Sequence, residues 1–176
     1  QQGLEWACLD FRQPGQGAVL TAMQAYAPDA VVTTVHRILS KEVVATFAGR
    51  LFNLHYSLLP AFGGTIGAAP VEAAMQYGVC LGGATVHAVT EELDGGQPLV
   101  QLAIPLSRQE NRDEVMDCEF RAGCMALLVA LRALDDPAGL NWEGMMVKLK
   151  GRQALPNPSM PLPEAMADEL FWASIK

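Results

Sequence analysis

The sequence predicts an α/β domain built on a mostly parallel sheet. Short apolar runs alternate with amphipathic runs along the chain, which is how strands and covering helices read in that class. The 176 residues carry no internal repeat and no linker that would divide them. Turn residues fall at the junctions between runs, so the elements are short and closely connected.

Leu4–Phe11 (LEWACLDF) reads as a first strand. Gln16–Tyr26 has Val19, Leu20, Met23 and Tyr26 at helical spacing, and Pro28-Asp29 breaks it. Ala30–Val35 (AVVTTV) is rich in β-branched residues, as a buried strand would be. Ser40 is placed to cap a short helix over Lys41–Phe47 that Gly49 closes. Leu51–His55 is the next strand, and Pro60–Pro70 is a Gly/Pro-punctuated loop. Val71–Tyr77 is a helix stopped by Gly78. Ala84–Thr90 and Leu99–Ile104 are strands joined through the turn-forming Leu93-Asp94-Gly95-Gly96. Arg112–Leu134 has the longest helical pattern and ends before Asp135-Asp136-Pro137. Met145–Leu149 is a short strand, and residues 1–150 are read as a single domain. Residues 151–176 follow as a tail, with Pro156–Pro163 on the surface and a terminal helix over Glu164–Trp172.

Composition narrows the function. The chain is 51% hydrophobic and 18% charged, which is globular rather than disordered. With 12 Lys+Arg against 19 Asp+Glu, the net charge of -7 lacks the basic surplus that phosphate neutralisation needs, so no nucleic-acid partner is expected. Apolar stretches such as Met125–Leu131 fall far short of the about 20 residues that span a bilayer, so no membrane partner is expected either. Gln1-Gln2-Gly3 has neither an apolar leader nor an initiator Met, which points to a cytoplasmic, processed or trimmed chain. Cys8, Cys80, Cys118 and Cys124 show no zinc spacing and read as buried thiols. No phosphate-cradling glycine loop is visible in the sequence.

Asn53 and His55 are two apart on a strand, so they project to one face. They lie at its carboxyl end, where open α/β sheets build their sites, just before a glycine-rich loop. Asp94 sits in a later turn, and an amide, an imidazole and a carboxylate are positioned to converge. The competing reading is plain structure: a lone Asn or His near a loop is commonly just hydrogen-bonded, and Asp before Gly-Gly is a stock turn former.

The run Phe52-Asn53-Leu54-His55-Tyr56-Ser57-Leu58-Leu59-Pro60-Ala61-Phe62 resembles the Asn-x-His-Pro-Ser-Leu-Leu-Pro signature of folate-dependent formyltransferases. Gly83–Thr90, Glu91–Gly96 and Val100-Gln101 follow at matching distances. His36–Ser40 and Phe47–Arg50 match upstream. The likeness covers roughly residues 5 to 134. It is strongest toward the branch holding phosphoribosylglycinamide formyltransferase, with formyltetrahydrofolate deformylase beside it.

The resemblance implies a Rossmann-like, mostly parallel sheet with helices on both faces. It implies 10-formyltetrahydrofolate as co-substrate, no metal, and a small-molecule amine as acceptor, with the oligomeric state left open. Asn53, His55 and Asp94 map onto the family's catalytic trio. The residue types suit the reaction: an amine attacks the formyl carbon, and an amide N–H with a protonated imidazole meets the charge that develops on oxygen. His55, or a water held by Asp94, relays the proton. Arg37, Ile38 and Leu39 correspond to the folate pocket, and Glu91, Glu92 and Leu93 to a loop that closes over the pterin. Tyr56, Thr85, His87 and Glu119 fall on the acceptor side, although core packing accounts equally well for Ile38 and Leu39, and a structural role for His87.

Three departures bear on the acceptor. The family's N-terminal strand, phosphate loop and first helix are not in the sequence before Gly3. The Pro after the catalytic His is Tyr56, and the loop Gly63–Pro70 lacks the histidines common there. The same motifs are compatible with hydrolysis of the formyl-folate, or with a folate-binding protein whose site is vestigial.

Overall fold

The structure, a computed structural model, describes residues 5–12, 14–35 and 37–175. Among these, six strands form one sheet: β1 (Val31–Thr33), β2 (Leu51–His55), β3 (Leu81–Ala88), β4 (Pro98–Pro105), β5 (Val147–Leu149) and β6 (Arg152–Asn157). Their order across the sheet is β1-β2-β3-β4-β6-β5. The helices are α1 (Gly17–Ala25), α2 (Lys41–Thr46), α3 (Ala69–Tyr77), α4 (Arg112–Asp135) and α5 (Glu169–Ser174).

The α/β class stands, and the sheet is mixed rather than mostly parallel. Among the described residues β1 and β2, joined through α2, are the one parallel pair; β2–β3, β3–β4, β4–β6 and β5–β6 are antiparallel. The reason lies in the connections. The Asp94-Gly95-Gly96 turn is too short to carry β3 back to the same end of the sheet before β4, as a parallel pair requires. β5 and β6 are joined by Lys150-Gly151 alone, both with positive φ (49° and 78°), the two-residue turn whose twist suits an antiparallel hairpin.

Two other expectations give way. Residues 5–10 take no regular structure, and Trp6 is 84% exposed, so this segment lacks the buried face that would make it a strand; Leu4 lies outside the described residues. The Pro-rich stretch is not a surface tail. β6 inserts between β4 and β5 with Ala154 and Pro156 buried and their neighbours outward, and Ser159 and Met160 beyond it are buried too. The terminal helix is split, a 3-10 turn over Glu164–Ala167 followed by α5. Of the four thiols, Cys118 is buried and Cys124 half-buried, while Cys8 and Cys80 are exposed. No helix among the described residues is long and apolar enough to cross a membrane.

Local chemistry sets the helix ends. Ser40 Oγ accepts the Val43 N–H to open α2. Asn111 and Glu114 exchange hydrogen bonds in a capping box that opens α4. Gly78, with φ 81°, closes α3. The α4 stripe Cys118, Ala122, Met125, Ala126 and Val129 packs on Ala84, Val86, Val100 and Leu102 of the sheet to form the main core. A smaller core joins Val43, Val44, Phe47 and Leu51 under Leu20 and Met23 of α1.

Strand alternation then gives the sheet two chemically different faces. Asn53 is paired with His87, His55 with Thr85, and Thr85 with Gln101, so these polar side chains share the face turned away from α4.

Candidate active site

β2 delivers Asn53 and His55 to this face, β3 delivers His87, and the β3–β4 turn swings Asp94 over them. The turn depends on Gly96, since a Cβ there would lie 1.6 Å from the Ala88 carbonyl oxygen. Asp94 itself adopts φ 52°, a left-handed conformation that Asp tolerates better than most residues. Its carboxylate is held in place by the Gly64 N–H at 2.7 Å.

Around that carboxylate, His55 Nδ1 lies 3.5 Å from Asp94 Oδ2 and His87 Nε2 lies 3.7 Å from Asp94 Oδ1. The side chains of His55, His87 and Asp94 are all nine-tenths or more buried. His55 Nε2 is 3.2 Å from the Phe62 carbonyl oxygen, so both ring nitrogens of His55 face acceptors. The imidazolium form has a donor for each.

Burial, the largest influence, pushes the His87 imidazole down from the ordinary value, opposed by the Ala88 carbonyl and Asp94. In the neutral ring Nδ1–H donates to the Ala88 carbonyl at 2.9 Å, which leaves Nε2 to accept from the Asn53 amide at 3.1 Å. That assignment turns the Asn53 nitrogen toward His87 and its oxygen toward Thr33, whose hydroxyl is 3.5 Å away. The second N–H of Asn53 has no partner among the described residues.

The cluster lines a cleft of about 380 Å³. Arg37, Ile38, Leu39, Glu91, Glu92 and Leu93 all line this cleft, as do Tyr56 and His87. His36, in the same sequence motif, lies outside the described residues. A 2.7 Å ion pair between Lys41 and Glu91 ties α2 to the loop before Asp94. Tyr56 is half-buried, and burial raises its hydroxyl above the usual value.

Two of the expected acceptor-side residues do not reach the cleft. Thr85 is fully buried, and its hydroxyl donates to the Ser57 carbonyl (2.7 Å) while accepting from Leu59 N–H (3.0 Å) and Gln101 Nε2 (3.1 Å). It holds the turn that follows His55. Glu119 lies on the core face of α4, where Oε1 accepts the Gly83 N–H at 3.3 Å. Burial raises its carboxyl to about 8, against the lowering effect of that N–H.

Sequence reasoning missed Thr33, Gln101 and the Phe62 carbonyl. Thr33 is found once the β1–β2 register sets it beside Asn53, whereas a backbone carbonyl leaves no trace in residue type.

The sequence profile described as formyl transferase matches residues 7–130. The chain is 40% identical over 96 residues to formyltetrahydrofolate deformylase of Escherichia coli K12, covering 54% of this chain and 33% of that protein. It is 36% identical over 110 residues to phosphoribosylglycinamide formyltransferase of the same organism, covering 62% of this chain and 50% of that protein. Among solved structures, formyltetrahydrofolate deformylase from Pseudomonas syringae superposes with a TM-score of 0.64 at 27% identity, over 84% of this chain and 47% of that one. The chain thus spans between a third and a half of the length of these two curated relatives. With the profile matched across most of its length and the fold shared, the chain belongs to the formyl transferase family.

Proposed function

We propose that the chain binds 10-formyltetrahydrofolate in the cleft and transfers its formyl group to an amine, as the name phosphoribosylglycinamide formyltransferase describes for its relative. The observation that supports this most is that Asn53, His55 and Asp94, from two separate segments, line one cleft, with His55 beside Asp94. The wall fits a flat heteroaromatic ring. Ile38, Leu39, Val44, Ile66, Val89 and Leu93 offer apolar surface, and the volume is within the range of small-molecule sites.

When bound, formyl-folate supplies an activated formyl carbon. The free N–H of Asn53 and the His55 imidazolium donate to the formyl oxygen, where negative charge grows as the amine's lone pair forms the new C–N bond. For His55 the donor is Nε2–H, which exchanges the Phe62 carbonyl for the formyl oxygen. Asp94 faces the opposite edge of the ring and holds its orientation. The proton lost by the attacking nitrogen passes by way of His55, or a water beside Asp94, to the folate nitrogen as the old C–N bond breaks. A cytoplasmic role in one-carbon metabolism and purine synthesis is part of the same proposal.

A second reading is hydrolysis, with water replacing the amine, favoured by the 40% identity to a deformylase. Turnover of 10-formyltetrahydrofolate with and without glycinamide ribonucleotide separates the two. Amine-dependent formylation is expected; formate released at the same rate without amine would establish hydrolysis instead. No turnover of any kind, with folate bound, would leave a binding protein with a vestigial site.

A further inference from the structure

Gln16 precedes α1 and is 7% exposed, although neither the sequence motifs nor the catalytic cluster involve it. Its side-chain amide reaches across to the segment between β1 and α2. Nε2 donates to the Ile38 carbonyl at 2.9 Å, and Oε1 accepts the Ser40 N–H at 2.9 Å. Leu39 lies between these two bonds. One residue of a parallel strand makes this same pattern, donating to the carbonyl before its neighbour and accepting from the N–H after it. Residues 37–40 belong to no strand or helix, so the segment takes from a side chain what the sheet gives its own strands.

Two further observations single Gln16 out. Its backbone is left-handed (φ 51°), an unfavourable conformation for a non-glycine residue that persists where the surroundings impose it. Ile38 and Leu39, the residues flanked by its bonds, both line the cleft, and Ile38 is 71% exposed there. An exposed apolar side chain on an irregular segment has little else to fix its place.

We propose that Gln16 is a positioning residue for the cofactor side of the cleft. Its amide acts as a one-residue strand that holds Ile38 and Leu39 in the wall against which the folate ring lies. The ligand named here rests on the functional reading above; the clamp itself does not.

Two variants and two readouts test this. Gln16→Leu removes these two hydrogen bonds and a longer one from Nε2 to the Phe11 carbonyl (3.5 Å), and Gln16→Glu keeps the acceptor for Ser40 while losing the donor to Ile38 and Phe11; thermal melting confirms that each is folded. In the ligand-free protein, hydrogen exchange at the Ser40 amide is expected to quicken about tenfold or more in Gln16→Leu and less in Gln16→Glu. The KM for 10-formyltetrahydrofolate is expected to rise about tenfold in Gln16→Leu while kcat falls less than about twofold, a split that general loss of structure does not produce. Unchanged Ser40 exchange overturns the clamp, and faster exchange with unchanged KM overturns its role in the wall. Wild-type protein that binds no 10-formyltetrahydrofolate overturns the functional reading and the wall's ligand with it, and the exchange rate then decides the clamp alone.

Discussion

Replacing Glu119 by Gln should flatten a pH dependence of stability that the wild-type protein carries. Glu119 is 1% exposed, its Oε1 takes the Gly83 N–H, and its Oε2 has no hydrogen-bond partner among the described residues. Burial raises its carboxyl from 4.5 to about 8, so the folded protein keeps a proton that the unfolded chain sheds above 4.5. Stability therefore falls as pH rises from 4.5 to about 8, by up to about 1.4 kcal/mol per pH unit, and levels off above. By pH 7 the accumulated cost is on the order of 2–3 kcal/mol after allowing for relaxation around the charge. Gln fills the same space, keeps an acceptor for Gly83 and has no proton to lose. Its extra N–H adds a pH-independent penalty of about 1 kcal/mol where no acceptor waits. Urea unfolding of both proteins at several pH values between about 5 and 8, followed by tryptophan fluorescence, isolates the effect because other titrations cancel in the difference. The variant should gain on the wild type steadily with pH. Two stability curves that run parallel across that range would refute the reasoning.

Other outcomes follow from the site and the core. His55→Ala should lower kcat by roughly 10²–10⁴-fold with folate affinity largely kept, because its N–H acts on charge that develops during reaction; equal losses in binding and rate, by titration and steady-state assay, would oppose that role. Asp94→Asn keeps an acceptor for the Gly64 N–H and removes the charge beside His55, so a rate loss of roughly 10²-fold is expected, and near-wild-type turnover would reduce Asp94 to a turn residue. Arg121 is 4% exposed, pairs with Asp117 at 3.0 Å and Glu169 at 2.7 Å, and lies over the Trp172 ring. Arg121→Ala should cost about 3 kcal/mol in urea unfolding and shift Trp172 emission as α5 loosens.

What the sequence disclosed follows the physics of each signal. Caps and stops are local, so Ser40 and Gly78 marked their helix ends correctly. Alternation is local too, which is why Asn53 and His55 could be set on one face before any contact was known. Strand direction is not local, and the parallel reading failed where a short turn forced β4 back along β3. Pro156 misled because proline argues against strands, while the inward Ala154 and Pro156 around Leu155 carried the truer signal. Glu119 and Arg121 are charged residues at the core side of α4, a placement that composition argues against and that only their partners explain.

The two-faced character of β2 makes activity a report on strand register. Slip that strand by a single position and Leu54 would enter the cleft, while an amide and an imidazole would be driven among the methyl groups beneath the long helix. Misregistered chains would then lose the proposed site and their stability together, so any turnover would count correctly threaded molecules.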